Sequence, residues 1–137
     1  MLNWKLIFQL SLFGLAMSIA TVFWIPSKIE PAFWLVIFIT CAYLIARHCS
    51  GKYFLHGFLV SMVNSIWITT AHVGLFSAYM ENHPEMAAMN TSMPMAEHPR
   101  LMMAIMGPVF GAVSGLVLGL FCVIAVKVFR KKDTPGN

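Results

Sequence analysis

The chain has 137 residues, of which 59% are hydrophobic and only 10% are charged. A soluble domain carries about 25% charged residues, so this chain has too few of them to cover a water-exposed globule. Its formal net charge of +4 comes from Lys and Arg residues that lie between and after apolar runs, which argues against a nucleic-acid partner and predicts association with a lipid bilayer.

Four apolar runs are long enough, or nearly so, for membrane-spanning helices, which need about 20 residues each. They cover residues 4–25, 31–47, 53–80 and 99–129. Between the last two runs lies a Met- and His-rich connection, residues 81–99, and a basic tail, residues 127–137, ends the chain. We therefore predict an all-α fold, an integral membrane four-helix bundle formed by a single domain of residues 1–137.

The basic residues predict how the bundle is oriented in the membrane. With four spans both chain ends lie on one side, and seven of the nine basic residues fall on that side: Lys5, Arg47, Lys52, Lys127, Arg130, Lys131 and Lys132. An excess of Lys and Arg marks the cytoplasmic side of a membrane protein. We expect both termini in the cytoplasm and the chain in the cell membrane, with a bacterial inner membrane as the expected location.

Small residues recur along two of the predicted spans. Span four carries Gly107, Gly111, Gly115 and Gly119, one every four residues, and span one carries Ser11, Gly14 and Ser18. Each glycine costs about 1 kcal/mol relative to Ala in a soluble helix, but in lipid small residues let two helix backbones approach closely. This glycine ladder predicts either packing on span one or three within the chain, or contact with a second copy or another membrane protein.

Polar residues share one face of span three. At 100° per residue, Ser61, Asn64, Ser65 and His72 cluster on one side of the helix, which predicts that they face the bundle interior. In one interpretation Asn64 and His72 are the centre of a transporter or membrane enzyme. In the other, His72 is a neutral side chain bonded to a neighbouring hydroxyl or carbonyl group.

The connection between spans three and four has residues suited to soft metals. Thioether sulfur favours Cu(I) and imidazole suits copper and zinc, so a Cu(I) site is one hypothesis for the following side chains. They are Met86, Met89, Met93, Met95, His83 and His98. The alternative is a short helix over about residues 83–93, capped by Asn82 with Glu85 at its third position, whose methionines cover the bundle or the bilayer surface.

No motif in the sequence indicates catalysis. HExxH, GxSxG, P-loop and GxGxxG patterns are missing, and no catalytic residue is predicted. The leading hypothesis is a non-enzymatic structural or accessory subunit that acts through packing of the glycine ladder. The alternatives are Cu(I) handling, which makes copper the one cofactor considered, and a transporter or enzyme centred on His72 and Asn64.

Overall fold

The computed structural model describes residues 2–94 and 97–130. Within these residues the chain forms six helices: α1 (Trp4–Phe23), α2 (Glu30–His48), α3 (Tyr53–Gly74), α4 (Phe76–Asn82), α5 (Pro84–Asn90) and α6 (Pro99–Arg130). The predicted all-α fold is confirmed. Four of these described helices, α1, α2, α3 and α6, are long and apolar enough to cross a membrane, and on that ground the chain is a multipass membrane protein.

The starts of the first two spanning helices follow from local chemistry. The side chain of Asn3 caps α1 by accepting a hydrogen bond of 3.1 Å from the Leu6 amide, which satisfies one of the free N–H groups of the first turn. Helix α2 has a proline in its first turn beside Glu30, and Arg47 and His48 in its last turn. This arrangement suits the helix dipole, because acidic groups favour the N-terminus and basic groups the C-terminus.

The third apolar run is divided where the sequence predicts one continuous span to residue 80. Helix α3 ends at Gly74, and Leu75 leaves the helical conformation with φ −106° and ψ 33° before α4 begins at Phe76. A helix over residues 53–80 would be about 42 Å long, against a hydrocarbon core of about 30 Å. The break at a glycine shortens the span, and α4 packs against α1 instead of extending α3.

Helix α3 is central in the bundle. It packs against α6 on one face and α1 on another, while α2 packs mainly against α6. One cluster of buried apolar side chains joins all four spanning helices, and it includes Ile7, Leu10, Cys41, Ile45, Val60, Leu118 and Cys122. It lies toward the end of the bundle where the Asn3 amide meets His56, which we call the near end. The far end carries the α1–α2 turn, α4 and α5.

The glycine ladder faces α3, and so do Ser11 and Gly14 of α1, while the buried Ser18 hydroxyl donates a hydrogen bond of 2.6 Å to the Leu15 carbonyl oxygen of its own helix. The four glycines pack in turn against Thr69, Ser65, Phe58 and Phe54 of α3. A Cβ atom at Gly107 would overlap Thr69, and one at Gly111 would overlap Ser65. At Gly115 it would lie 2.8 Å from a ring carbon of Phe58, and at Gly119 it would lie 2.7 Å from a ring carbon of Phe54. From α1, Gly14 lies against Asn64, and the Ser11 hydroxyl accepts a hydrogen bond of 3.3 Å from the Trp67 indole. The ladder thus contacts span three rather than span one.

Candidate functional site

A cavity of about 710 Å³ lies toward the far end between α2, α3 and α6. The second half of α2 is buried through Cys41, Ala42, Ile45 and Ala46, whereas side chains of its first half line the cavity. Helix α2 therefore closes the bundle at the near end and leaves a space at the far end. The volume falls within the range of about 300–1,000 Å³ that small-molecule sites occupy.

The walls of the cavity differ in character. Helix α2 contributes Trp34 and Phe38, and α6 contributes Met102, Met103, Met106 and Phe110. The wall formed by α3 carries the predicted polar stripe, since Ser61, Asn64, Ser65 and His72 all line the cavity. Ser27, Glu30 and Asn90 lie at its far-end mouth. The cavity is therefore apolar on two sides, with polar groups along α3 and at the mouth.

The two serines of the stripe are bonded to the backbone. Ser61 donates a hydrogen bond of 3.3 Å to the carbonyl oxygen of Gly111, across the α3–α6 contact. Ser65 donates a bond of 2.7 Å to the carbonyl oxygen of Met62 in its own helix. Because each hydroxyl proton is already used, this part of the wall is less polar toward the cavity than its sequence indicates.

Asn64 has an unmet hydrogen-bonding capacity. Its side chain is 3% exposed, and neither amide atom has a hydrogen-bond partner among the residues that the structure describes. The amide group packs against the backbone of Gly14, where a missing side chain leaves room for it. A buried amide without a partner costs free energy, and in a bilayer there is little water to supply one. Asn64 thus lies at the boundary between the cavity wall and α1.

His72 belongs to a stack of three rings at the far end. Its Nε2 atom lies 3.1 Å from the Thr21 hydroxyl, and its ring stacks on Tyr79 with a centroid distance of 4.2 Å. Tyr79 in turn stacks on His83 at 4.4 Å. Burial, with smaller contributions from the Glu30 and Glu85 carboxylates, raises the pKa of the Tyr79 phenol to about 12, so the phenol keeps its proton. The stack connects α3 to α4 and to the start of α5.

The predicted copper ligands are not all brought together. Met86 and Met93 line the cavity, but Met89 is 49% exposed and His98 is exposed as well. Both ring nitrogens of His83 lie at hydrogen-bonding distance from backbone carbonyl oxygens. Met95 and the basic tail beyond Arg130 lie outside the described residues. Within the described part of the chain, no group of three or more His, Cys, Asp or Glu side chains could hold a metal ion.

The helix predicted over about residues 83–93 is shorter and starts differently. Helix α5 covers Pro84–Asn90, and His83 is at its N-cap position. Asn82, the predicted cap, belongs to the end of α4, where its amide donates a bond of 2.8 Å to the carbonyl oxygen of Ala78. The prediction of an Asn82 cap was wrong because the chain still follows α4 at this residue and turns only at His83.

Sequence reasoning missed much of the cavity. Met102, Met103 and Met106 come from α6 and meet the methionines of the connection only in the folded chain. The ring stack has a signal in the sequence, since His72 and Tyr79 are seven residues apart, about two helical turns, and His83 follows Tyr79 by four. Comparison with protein-family models, with curated proteins and with solved structures finds no match to this chain.

Proposed function

We propose that this small multipass membrane protein binds a lipid-like molecule in its far-end cavity and catalyses no reaction on it. The observation that carries the proposal is the cavity of about 710 Å³ at membrane depth, with apolar walls from α2 and α6. An acyl or isoprenoid chain fits between these walls, and its polar group fits at the mouth beside Ser27, Glu30 and Asn90.

Methionine side chains favour this occupant. Six of them line the cavity from three parts of the chain: Met80, Met86, Met93, Met102, Met103 and Met106. Methionine is unbranched and polarizable, so it adapts to irregular apolar ligands better than branched side chains do. A wall of this kind suits a flexible hydrocarbon chain more than a rigid ligand of fixed shape.

The glycine ladder supports a role within the chain more than one toward a partner. All four glycines face α3 of the same molecule, which makes the same surface inaccessible to a second protein in this fold. We infer that the ladder stabilises the α3–α6 pair, which forms two walls of the cavity. A role as an accessory subunit stays a prediction, and it would need a surface other than the ladder.

We further propose that both termini are cytoplasmic, on the basis of the seven basic residues at the near end and in the tail. The far end, and with it the mouth of the cavity, then faces the outer leaflet. The bound molecule would enter from that leaflet, with its polar group at the membrane surface and its chain directed toward the middle of the bilayer.

Cu(I) binding is a second candidate because one observation favours it. Six methionine residues line the same cavity, and thioethers are soft ligands that select Cu(I). Such a site differs from the one predicted from sequence, since it uses the methionines of α6 and does not use His83 or His98. Metal and lipid would compete for the same space.

A cavity-filling variant tests the lipid proposal. The full-length protein is purified in mild detergent, and bound lipid is detected by native mass spectrometry. Met106→Trp places a large ring in the cavity, whereas Ile105→Trp places the same ring on the neighbouring residue, which is 49% exposed. We expect the wild type and Ile105→Trp to retain a lipid and Met106→Trp to lose it.

A photoactivatable phospholipid supplies a second measurement of the same site. In nanodiscs it should label the first half of α2 and the cavity face of α6 in preference to residues that face bulk lipid. Equal lipid retention by the two tryptophan variants, together with labelling spread evenly over the outer surface, would contradict the proposal.

A further inference from the structure

His83 is placed between the ends of two helices. Its ring is 1% exposed, with Nδ1 at 3.0 Å from the carbonyl oxygen of Tyr79 and Nε2 at 3.1 Å from the carbonyl oxygen of Ile25. Tyr79 belongs to α4, and Ile25 directly follows the C-cap of α1. One side chain thus joins the end of α1 to the junction of α4 and α5.

The two acceptors determine which form of the ring fits. A carbonyl oxygen can only accept a hydrogen bond, so each nitrogen must carry a hydrogen to bond its partner. A neutral imidazole has one N–H group and would direct the lone pair of its other nitrogen at a carbonyl oxygen. The imidazolium has two N–H groups, and both of its bonds are charge-assisted.

The surroundings also favour a cation. Carbonyl groups at helix C-termini carry partial negative charge, and the Tyr79 carbonyl group beside His83 belongs to the last turn of α4. The ring stacks on Tyr79, and a cation is attracted to the face of an aromatic ring. These contacts compensate the burial of a charge that would otherwise be costly.

The ionisable groups around His83 are few in the described part of the chain. Helix α4 contributes Tyr79, α3 contributes His72 on the other side of that ring, and α5 contributes Glu85. Lys28, from the α1–α2 turn, lowers the pKa of Glu85, and Glu30, at the start of α2, raises the pKa of Tyr79. The pKa of the exposed Glu85 carboxyl is lowered, first by its own backbone amide and then by Ser27, His83 and Lys28.

Helix α5 has little else to hold it in place. The structure describes every side chain of α5, and none of them is buried. The helix packs chiefly against α4. Three residues of this region, Met86, Asn90 and Met93, nevertheless line the far end of the cavity. We call α5 together with Met93 the cover of the cavity. Its position therefore depends on how α4 and His83 are fixed.

We propose that His83, in its doubly protonated form, is a clasp that holds α4 and α5 against the end of α1 and keeps the cavity covered. Loss of one proton replaces one of the two hydrogen bonds by a repulsive contact between a lone pair and a carbonyl oxygen. The cover is therefore fixed while the ring carries both protons and is released when it loses one. The effect on a bound molecule rests on the proposed lipid function; the clasp itself does not.

Nitrogen NMR of the full-length protein in nanodiscs tests the protonation state directly. At pH 6 we expect His83 to show two protonated ring nitrogens. His56 is an internal reference, because its Nε2 atom accepts a bond of 3.0 Å from the Asn3 amide and its Nδ1 atom lies 2.8 Å from the Lys52 carbonyl oxygen. It should therefore show a neutral ring with the proton on Nδ1. A neutral His83 at pH 6 would overturn the proposal.

Amide exchange of residues 85–90 tests the clasp. Corrected for intrinsic rates, exchange at pH 6 should be about tenfold faster in His83→Gln than in the wild type, as expected when a charge-assisted hydrogen bond is lost. In the control His98→Gln it should match the wild type. Equal exchange in His83→Gln and the wild type would refute the clasp.

Lipid exchange separates this proposal from the previous one. If both hold, a bound lipid leaves His83→Gln several-fold faster than it leaves the wild type or His98→Gln. If no lipid binds but amide exchange differs between the variants as expected, the clasp stands and the lipid function fails. If lipid binds and leaves the wild type and His83→Gln at the same rate, His83 does not control the cover.

Discussion

Gly14 of α1 and Asn64 of α3 are in direct contact at the middle of the bundle. A Cβ atom at Gly14 would overlap the Asn64 amide oxygen and lie 2.6 Å from its Cγ atom and 2.8 Å from its Cβ atom. The Cβ of Asn64 is fixed to the backbone, so a rotation of the side chain cannot remove the overlap. The close approach of α1 and α3 therefore requires glycine at this position.

Gly14→Ala should separate α1 from α3 and destabilise the protein. Overpacking in a well-packed interior costs about 1–3 kcal/mol, which outweighs the gain of about 1 kcal/mol in helix propensity. Gly51→Ala is the control, because a Cβ atom there would meet nothing within 4 Å. Thermal unfolding in detergent should give a lower midpoint for the first variant only. An unchanged midpoint in Gly14→Ala would mean that the two helices are further apart.

Gly111→Leu and Gly115→Leu should also destabilise the folded monomer. Their side chains would overlap Ser65 and Phe58 of α3, and the cost is again about 1–3 kcal/mol per site despite the better helix propensity of Leu. Val113→Leu, on the lipid-facing side of α6, is the matched control. Unfolding curves and cross-linking measure the two effects. Variants that unfold normally but lose a cross-linked oligomer would show that the ladder serves a partner instead.

Asn64→Leu should leave stability unchanged or raise it by about 1 kcal/mol, since the substitution removes a buried amide that has no partner among the described residues. Leu branches at Cγ like Asn, so the contact with Gly14 is largely kept. Unfolding in mixed micelles gives the difference in free energy. A loss of 2 kcal/mol or more, the range expected for a satisfied buried bond, would show that the amide is bonded to water or to a bound molecule.

Replacement of Met86, Met93, Met102 and Met106 by Leu tests Cu(I) binding, because Leu keeps the bulk and removes the sulfur. If the cavity binds Cu(I), these substitutions should abolish its competition with a chromogenic chelator, while Met89→Leu, at an exposed position, should not. Equal retention of copper by all three proteins would exclude the methionine cavity as the metal site.

Reporter fusions test the proposed orientation of the chain. A reporter that is active only outside the cytoplasm should be silent after Asn137 and active when inserted near Thr91, in the far-end connection. A cytoplasmic reporter at the same two positions should show the opposite pattern and controls for expression. If the first reporter is active at Asn137, the far-end cavity opens to the cytoplasm and not to the outer leaflet.

The sequence alone was sufficient for the number and approximate position of the spanning helices, although it missed the break between Gly74 and Phe76, because length and composition decide whether a helix can cross a bilayer. It also indicated which residues of α3 turn inward, since Ser61, Asn64 and Ser65 follow helical periodicity. These properties depend on residues close together in the chain.

Tertiary structure decided which helix faces the ladder and where the polar groups find partners. Small residues permit close approach to any helix, so the repeat from Gly107 to Gly119 could not distinguish α1 from α3 or from a second molecule. In the same way, His83 looks like a metal ligand in the sequence, and only the fold brings the Ile25 carbonyl oxygen to its second nitrogen. Hydrogen bonds and cavities depend on distances between residues far apart in the chain, and local periodicity does not determine those distances.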